Sequence, residues 1–147
     1  MILDTDVIRS LYGKSIEYTE NDIITFEKGI LGFPELKKYI FIGNISEDIP
    51  YCFLQSIENE SVSFIITNPF LFKKDYDFLL DEKYNCDKII NLKNINQLNV
   101  YSILNINKEV KNSTINLKAP IIINIDEKKG MQIILEEEYD IKYKIYK

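Results

Sequence analysis

Residues 114–135 read TINLKAPIIINIDEKKGMQIIL, and this stretch decides the fold class. Ile121, Ile123 and Ile125 alternate with Ile122 and Asn124, a period of two that suits a strand and not a helix. After the charged turn Asp126 to Gly130, Met131, Ile133 and Leu135 alternate with Gln132 and Ile134. Two such runs joined by a short loop ending in glycine predict an antiparallel hairpin, with Gly130 free to take a positive φ. Pro120 has no N–H to give a ladder, so it marks the entry to the first strand. The polar side chains of the segment are too few and too mild for catalysis.

The rest of the composition agrees. The chain has 147 residues, a length suited to one domain spanning 1–147. A chain of that size buries roughly 70% of its unfolded surface, so it needs neither metal nor disulfide to fold. It carries 27 Ile and a single Ala, Ala119, a balance that favours strands over helices. Ile-, Asn- and Lys-rich composition also follows from AT-rich coding, so the order of the Ile residues says more than their number.

Strand candidates recur at short intervals along the chain. They are Ile2–Leu3 with Val7–Leu11, Ser15–Tyr18, Ile23–Phe26, Tyr39–Ile42, Tyr51–Glu58, Ser61–Thr67, Tyr76–Leu80, Asn99–Ile106 and Ser113–Asn116, followed by the hairpin. Tyr51–Asn68 forms a second hairpin about Asn59 and Glu60, and its apolar residues on both faces predict a central position. Helix is confined to minor turns at Pro34–Lys38 and Asp81–Asp87, with a turn at Glu109–Asn112. From Tyr139 the tail alternates as a last edge strand, its lysines guarding against aggregation. The pattern predicts a mostly β chain, a small antiparallel β-barrel-like single domain.

Charge and missing residue types exclude much chemistry. The net charge is −5, and Arg9 is the only arginine beside 17 Lys. Nucleic-acid binding rests on neutralising phosphates, so direct binding is not expected, and a basic or mixed-charge protein is the easier partner. There is no His, which removes the commonest general base and metal ligand. Cys52 and Cys86 lack metal-ligand spacing; they are read as reduced thiols, with a disulfide as the alternative. No Gly-rich phosphate cradle follows a strand, so no cofactor is expected. No signal peptide and no run of about 18 apolar residues is visible, which predicts a cytoplasmic protein away from membranes. Carboxylates remain: Glu136, Glu137 and Glu138 form a solvated cluster, and Asp75 and Asp77 flank Tyr76. A carboxylate enzyme acting on sugars is one rival reading and needs two carboxyl groups about 5–9 Å apart in a pocket. A barrel stacking single-stranded nucleic acid on its aromatics is another, at odds with the charge.

Two motifs admit both structural and docking roles. In Phe26 to Pro34, Gly29 and Gly32 permit tight turns, and Phe33 either plugs the barrel end or joins Pro34 in an apolar docking rim. Gln55 and Ser56 interrupt an apolar strand and must either find internal partners or face a ligand; Asn116 raises the same choice.

Taken in order, the motifs resemble those of the flagellar assembly factor FliW family over nearly the whole chain. They are Ile24-Thr25-Phe26-x-x-Gly29-Ile30-x-Gly32-Phe33, Leu54-Gln55-Ser56, and Asn68-Pro69-Phe70 with Asp75-Tyr76. Asn116-Leu117-Lys118-Ala119-Pro120-Ile121-x-Ile123-Asn124 and Gly130-x-Gln132-Ile133-Ile134-Leu135 complete the series. The tail departs from the family, since Tyr139-Asp140-Ile141 is followed by Lys142-Tyr143-Lys144 and not by a basic-His-Pro stretch. The resemblance implies a non-enzymatic barrel that binds the C-terminal region of flagellin. It also implies binding to the RNA-binding translational repressor CsrA, which free flagellin releases. On this reading the partner-binding candidates are Phe33, Pro34, Gln55, Ser56, Asn116, Leu117, Ala119 and Pro120.

Overall fold

The computed structural model describes residues 1–43 and 50–146. Its strands are β1 (Ile2–Leu3), β2 (Ile16–Glu17), β3 (Ile24–Phe26), β4 (Lys38–Ile42), β5 (Cys52–Ser56), β6 (Ser63–Thr67), β7 (Leu98–Asn105), β8 (Thr114–Ile115), β9 (Ile121–Asn124), β10 (Lys129–Gln132) and β11 (Tyr143–Lys144). Two α-helices accompany them, α1 (Asp6–Tyr12) and α2 (Cys86–Ile89), with short 3-10 turns between strands. β3 to β7 run as antiparallel neighbours, β9 pairs with β7 and β10 with β9. β10 meets β3 in parallel, which closes a seven-strand barrel. β8 pairs with the end of β7 and carries β11 outside the barrel, while β1 and β2 form a separate ladder.

The hairpin of residues 114–135 supplies the closing strands. Met131 faces Ile122 and Gln132 faces Ile121, so Met131 and Ile133 share a cluster with Ile122 and not with Ile121 and Ile123. The loop differs from expectation in one respect. Lys128, at φ 56°, is the residue in the left-handed region, and Gly130 is not. Gly130 serves space instead of conformation: a Cβ there would lie 2.5 Å from Cζ of Phe26. Phe26 is its partner across the parallel ladder and is fully buried, so the ring has nowhere to retreat.

The barrel wall is apolar on both sides. Its interior holds Ile24, Phe26, Tyr39, Leu54, Ile66, Ile121 and Ile123. One outer flank is covered by α1, where Ile8 and Tyr12 meet Ile40 and Phe53. The other is covered by the long connection from β6 to β7, where Tyr76, Cys86 and Ile90 meet Ile122, Met131 and Ile133. Each large side chain so buried contributes about 1.5–3 kcal/mol. Asn124 holds the second cover in place. Its Nδ2 donates to the carbonyls of Ile90 (2.8 Å) and Asn91 (3.2 Å), and its Oδ1 accepts from the N–H groups of Asp126 and Glu127.

Four sequence expectations are corrected. Val7–Leu11 is helical, because Thr5 caps the first turn by accepting from Ile8 N–H, and Gly13 ends the helix at φ 75°. Tyr76–Leu80 forms no ladder: the Asp77 N–H donates to the Tyr139 hydroxyl and the Leu79 N–H to the Glu137 carboxylate. Pro34–Lys38 is not a helical turn, since Lys38 already begins β4. The tail strand is limited to Tyr143–Lys144. The turns near residues 81–87 and 109–112 are present as expected. Cys52 and Cys86 are free thiols.

Gly130→Ala is expected to lower unfolding stability by about 1–3 kcal/mol, measured by chemical denaturation. Combined with Phe26→Leu, the loss is smaller than the sum of the two single losses, because the smaller side chain vacates the space that the added methyl needs.

Candidate functional site

Asn116 folds the entry of the hairpin onto itself. Its Oδ1 accepts from the N–H groups of Lys118 and Ala119, both at 3.0 Å. Leu117 is fully buried, donates its N–H to Asp140 O (3.0 Å) and accepts from the Tyr76 hydroxyl (2.6 Å). Lys118 reaches the carbonyl of Glu137 at 2.9 Å. The next carbonyls are used as well: Lys118 O accepts from Leu135 N–H and Pro120 O from Ile133 N–H. The loop is therefore tied down almost atom by atom.

Tyr76 is the centre of that anchorage. Its ring meets Tyr139 edge-on at 4.8 Å and lies tilted against Phe70 and Phe78. Burial first, and then the charges of Tyr139 and Glu137, push its phenol well above the usual range, so it stays a hydrogen-bond donor. Tyr139 in turn donates to Asp77 O at 2.7 Å. The 68–70, 75–76 and 116–120 motifs thus form one aromatic-backed unit.

The Gly29–Pro34 turn is the second part of the site. Gly29 stands at φ 68°, and a Cβ there would fall 2.6 Å from Phe33 O; Gly32 stands at φ 91°. The turn drives Ile30 inward and leaves Leu31 58% exposed. Phe33 is half-buried, its ring edge-on to Phe64 at 5.8 Å, and Pro34 is exposed. Gln132 joins the turn to the hairpin entry. Its Oε1 accepts from Leu31 N–H (2.9 Å), and its Nε2 donates to Ala119 O (3.0 Å).

The sequence candidates separate accordingly. Gln55, Ser56, Leu117, Ala119 and Pro120 are buried and offer a partner no surface. Gln55 is satisfied internally: Oε1 accepts from the Tyr12 hydroxyl at 2.6 Å, and Nε2 donates towards the carbonyls of Ser56, Glu60 and Val62. Phe33 and Asn116 are half-buried, so Pro34 alone is fully at the surface. Sequence reasoning passed over Leu31 and Ile134, both more than half exposed. For Leu31 the signal was its place between Ile30 and Gly32 in a two-glycine turn, which cannot bury both large neighbours.

Catalytic equipment does not gather here. Among the described residues, no group of three or more His, Cys, Asp or Glu is placed to hold a metal. Nor is any helix of the described residues long and apolar enough to cross a membrane.

Comparison with known proteins settles the family. The model of the FliW protein family matches residues 8–145. The chain belongs to the FliW family. It is 42% identical over 131 residues to the flagellar assembly factor FliW of Caldanaerobacter subterraneus subsp. tengcongensis, covering 88% of this chain and 86% of that one. It is 39% identical over 141 residues to that of Clostridium kluyveri, covering 95% of each. A crystal structure of a flagellar assembly factor FliW superposes with a TM-score of 0.83 at 31% identity, covering 92% of this chain and 94% of that one. FliW proteins are assembly factors and not enzymes, which sets aside the carboxylate-enzyme reading.

Gln132→Ala removes both bonds that join the turn to the hairpin entry. The expected cost is about 1–3 kcal/mol in unfolding stability, with faster hydrogen exchange at the Leu31 amide. Glu137 gives a pH dependence. The Leu79 N–H, above all, lowers its carboxyl pKa in the folded protein. A lowered folded-state pKa adds stability that is present above the unfolded carboxylate range and lost as pH falls through the folded value. Glu137→Gln should therefore flatten the acid limb of a melting-temperature-against-pH curve.

Proposed function

We propose that this flagellar assembly factor is a cytoplasmic partner-switching adaptor, working as one domain. It binds flagellin through the flagellin C-terminal region. When flagellin is scarce, it instead occupies the translational repressor CsrA and keeps it from flagellin mRNA. Secretion of flagellin then restores repressor binding, so flagellin level governs its own translation.

The observation that carries this reading is the Leu31–Pro34 rim. Leu31 is apolar and 58% exposed, yet its backbone is fixed by Gln132 to a loop that is itself held by several hydrogen bonds. An apolar surface held rigid in advance loses little entropy on docking, which suits capture of an amphipathic helix. The charge of −5 supports the second partner: an acidic protein attracts a basic RNA-binding surface and disfavours RNA beside it. The same charge argues against direct RNA binding.

Mixing the purified protein with flagellin and with CsrA tests the proposal, and no binding to either at micromolar concentration overturns it. Leu31→Asp is expected to weaken flagellin binding at least about tenfold, or 1.4 kcal/mol, with an unchanged melting temperature. Phe33→Ala is a poorer probe, because its half-buried ring also packs against the barrel core, edge-on to Phe64.

A further inference from the structure

Gln55 and Ser56 shape a surface as well as filling a strand. Gln55 clamps Tyr12 of α1 on one side and the carbonyls of Glu60 and Val62 on the other. Ser56 Oγ accepts from the N–H groups of Glu58 (3.2 Å) and Asn59 (3.0 Å). The β5–β6 turn is thereby set against α1, and a cleft of about 730 Å³ opens between them. Val7, Leu36 and Ile57 give it apolar lining, and Glu35, Glu58 and Glu60 give it three carboxylates.

Among the described residues, no lysine or arginine lines this cleft. The nearest cation in sequence, Lys37, directs its Nζ to the carbonyl of Glu27 at 2.7 Å. Glu58 is held in a fixed pose, because its Oε1 accepts from the N–H groups of both Lys37 (2.5 Å) and Lys38 (2.8 Å). The buried hydroxyl of Tyr39 has no hydrogen-bond partner among the described residues, and burial above all, then the charges of Glu58 and Glu35, pushes its phenol up to about 12. Three carboxylates beside apolar lining give the cleft charge of one sign, which draws a cationic guest.

We propose that this cleft receives a basic segment of a partner protein, in which one apolar side chain seats against Val7 and Ile57 and flanking Lys or Arg side chains meet Glu35, Glu58 and Glu60. Charge complementarity selects the occupant: an acidic or neutral helix brings the three carboxylates no countercharge, whereas a basic one supplies it and keeps the apolar contact. The inference goes beyond the flagellin and repressor reading, because it names the chemistry of the guest that this cleft takes and holds whichever protein supplies the segment.

The test uses the full chain and two labelled synthetic peptides, one alternating Leu and Lys, the other Leu and Glu. Fluorescence anisotropy at low salt is expected to show binding of the lysine peptide only, weakening as salt rises. Amide chemical shifts of the unchanged protein should move at Thr5–Val7, Glu35–Leu36 and Ile57–Ser61. Glu35→Lys with Glu60→Lys should weaken binding about tenfold or more. Glu82→Lys with Asp87→Lys, on another acidic segment, should change it less than about twofold. Equal binding of both peptides, shift changes centred elsewhere, or equal losses in the two double variants would overturn the proposal, since each means a diffuse field and not a site.

Discussion

The barrel closes where β10 meets β3, and there an aromatic ring occupies the space of a missing side chain. Phe26 lies over Gly130 across the single parallel pairing of the barrel. Without that approach β10 could pair only with β9, and the hairpin would be a flap on the sheet instead of its closing wall. Closure brings Ile121 and Ile123 to the inside and Ile122 to the outside. The covering connection from β6 to β7 then has an apolar surface to rest on. Both parts of the candidate site depend on the same event, since Gln132 ends β10 and carries the contacts to Leu31 and Ala119.

Around that closure, carboxamide side chains do the tying. Asn124 holds the end of α2 to the hairpin turn, Asn116 shapes the hairpin entry, Gln132 bridges the entry to the Gly29–Pro34 turn, and Gln55 joins α1 to the β5–β6 turn. A carboxamide both donates and accepts without charge, so it can satisfy the stray N–H and C=O groups of irregular segments at low desolvation cost. A chain with little helix and many connections between strands leaves many such groups. Part of the asparagine content is thereby structural, whatever its coding origin.

The sequence made the strands legible because their residues are β-branched and their turns carry Gly, Pro and Asn. The hairpin of residues 114–135 and the central β5–β6 hairpin both appear with the expected pairing. Val7–Leu11 misled because a short amphipathic helix and a short apolar strand look alike over five residues; the Thr5 cap and Gly13 stop carried the decision. Tyr76–Leu80 misled because its composition is that of a strand, while its amides are taken by Tyr139 and Glu137 from a distant part of the chain. The candidate site was only half legible for a related reason. Motif residues such as Leu117 and Gln55 stand out by type and order, but whether they hold the scaffold or face a partner depends on contacts more than forty positions away.

An apolar lining on both faces of the barrel wall also has a thermodynamic consequence. Unfolding exposes three apolar clusters together, and each Å² of apolar surface adds about 0.45 cal/K/mol to the heat capacity of the unfolded chain. A large heat-capacity increment bends the stability curve sharply and draws its two zero crossings together. The fold is then secured by Ile-rich layers whose hold fades on cooling as well as on heating, and its working window is set by water as much as by its own contacts.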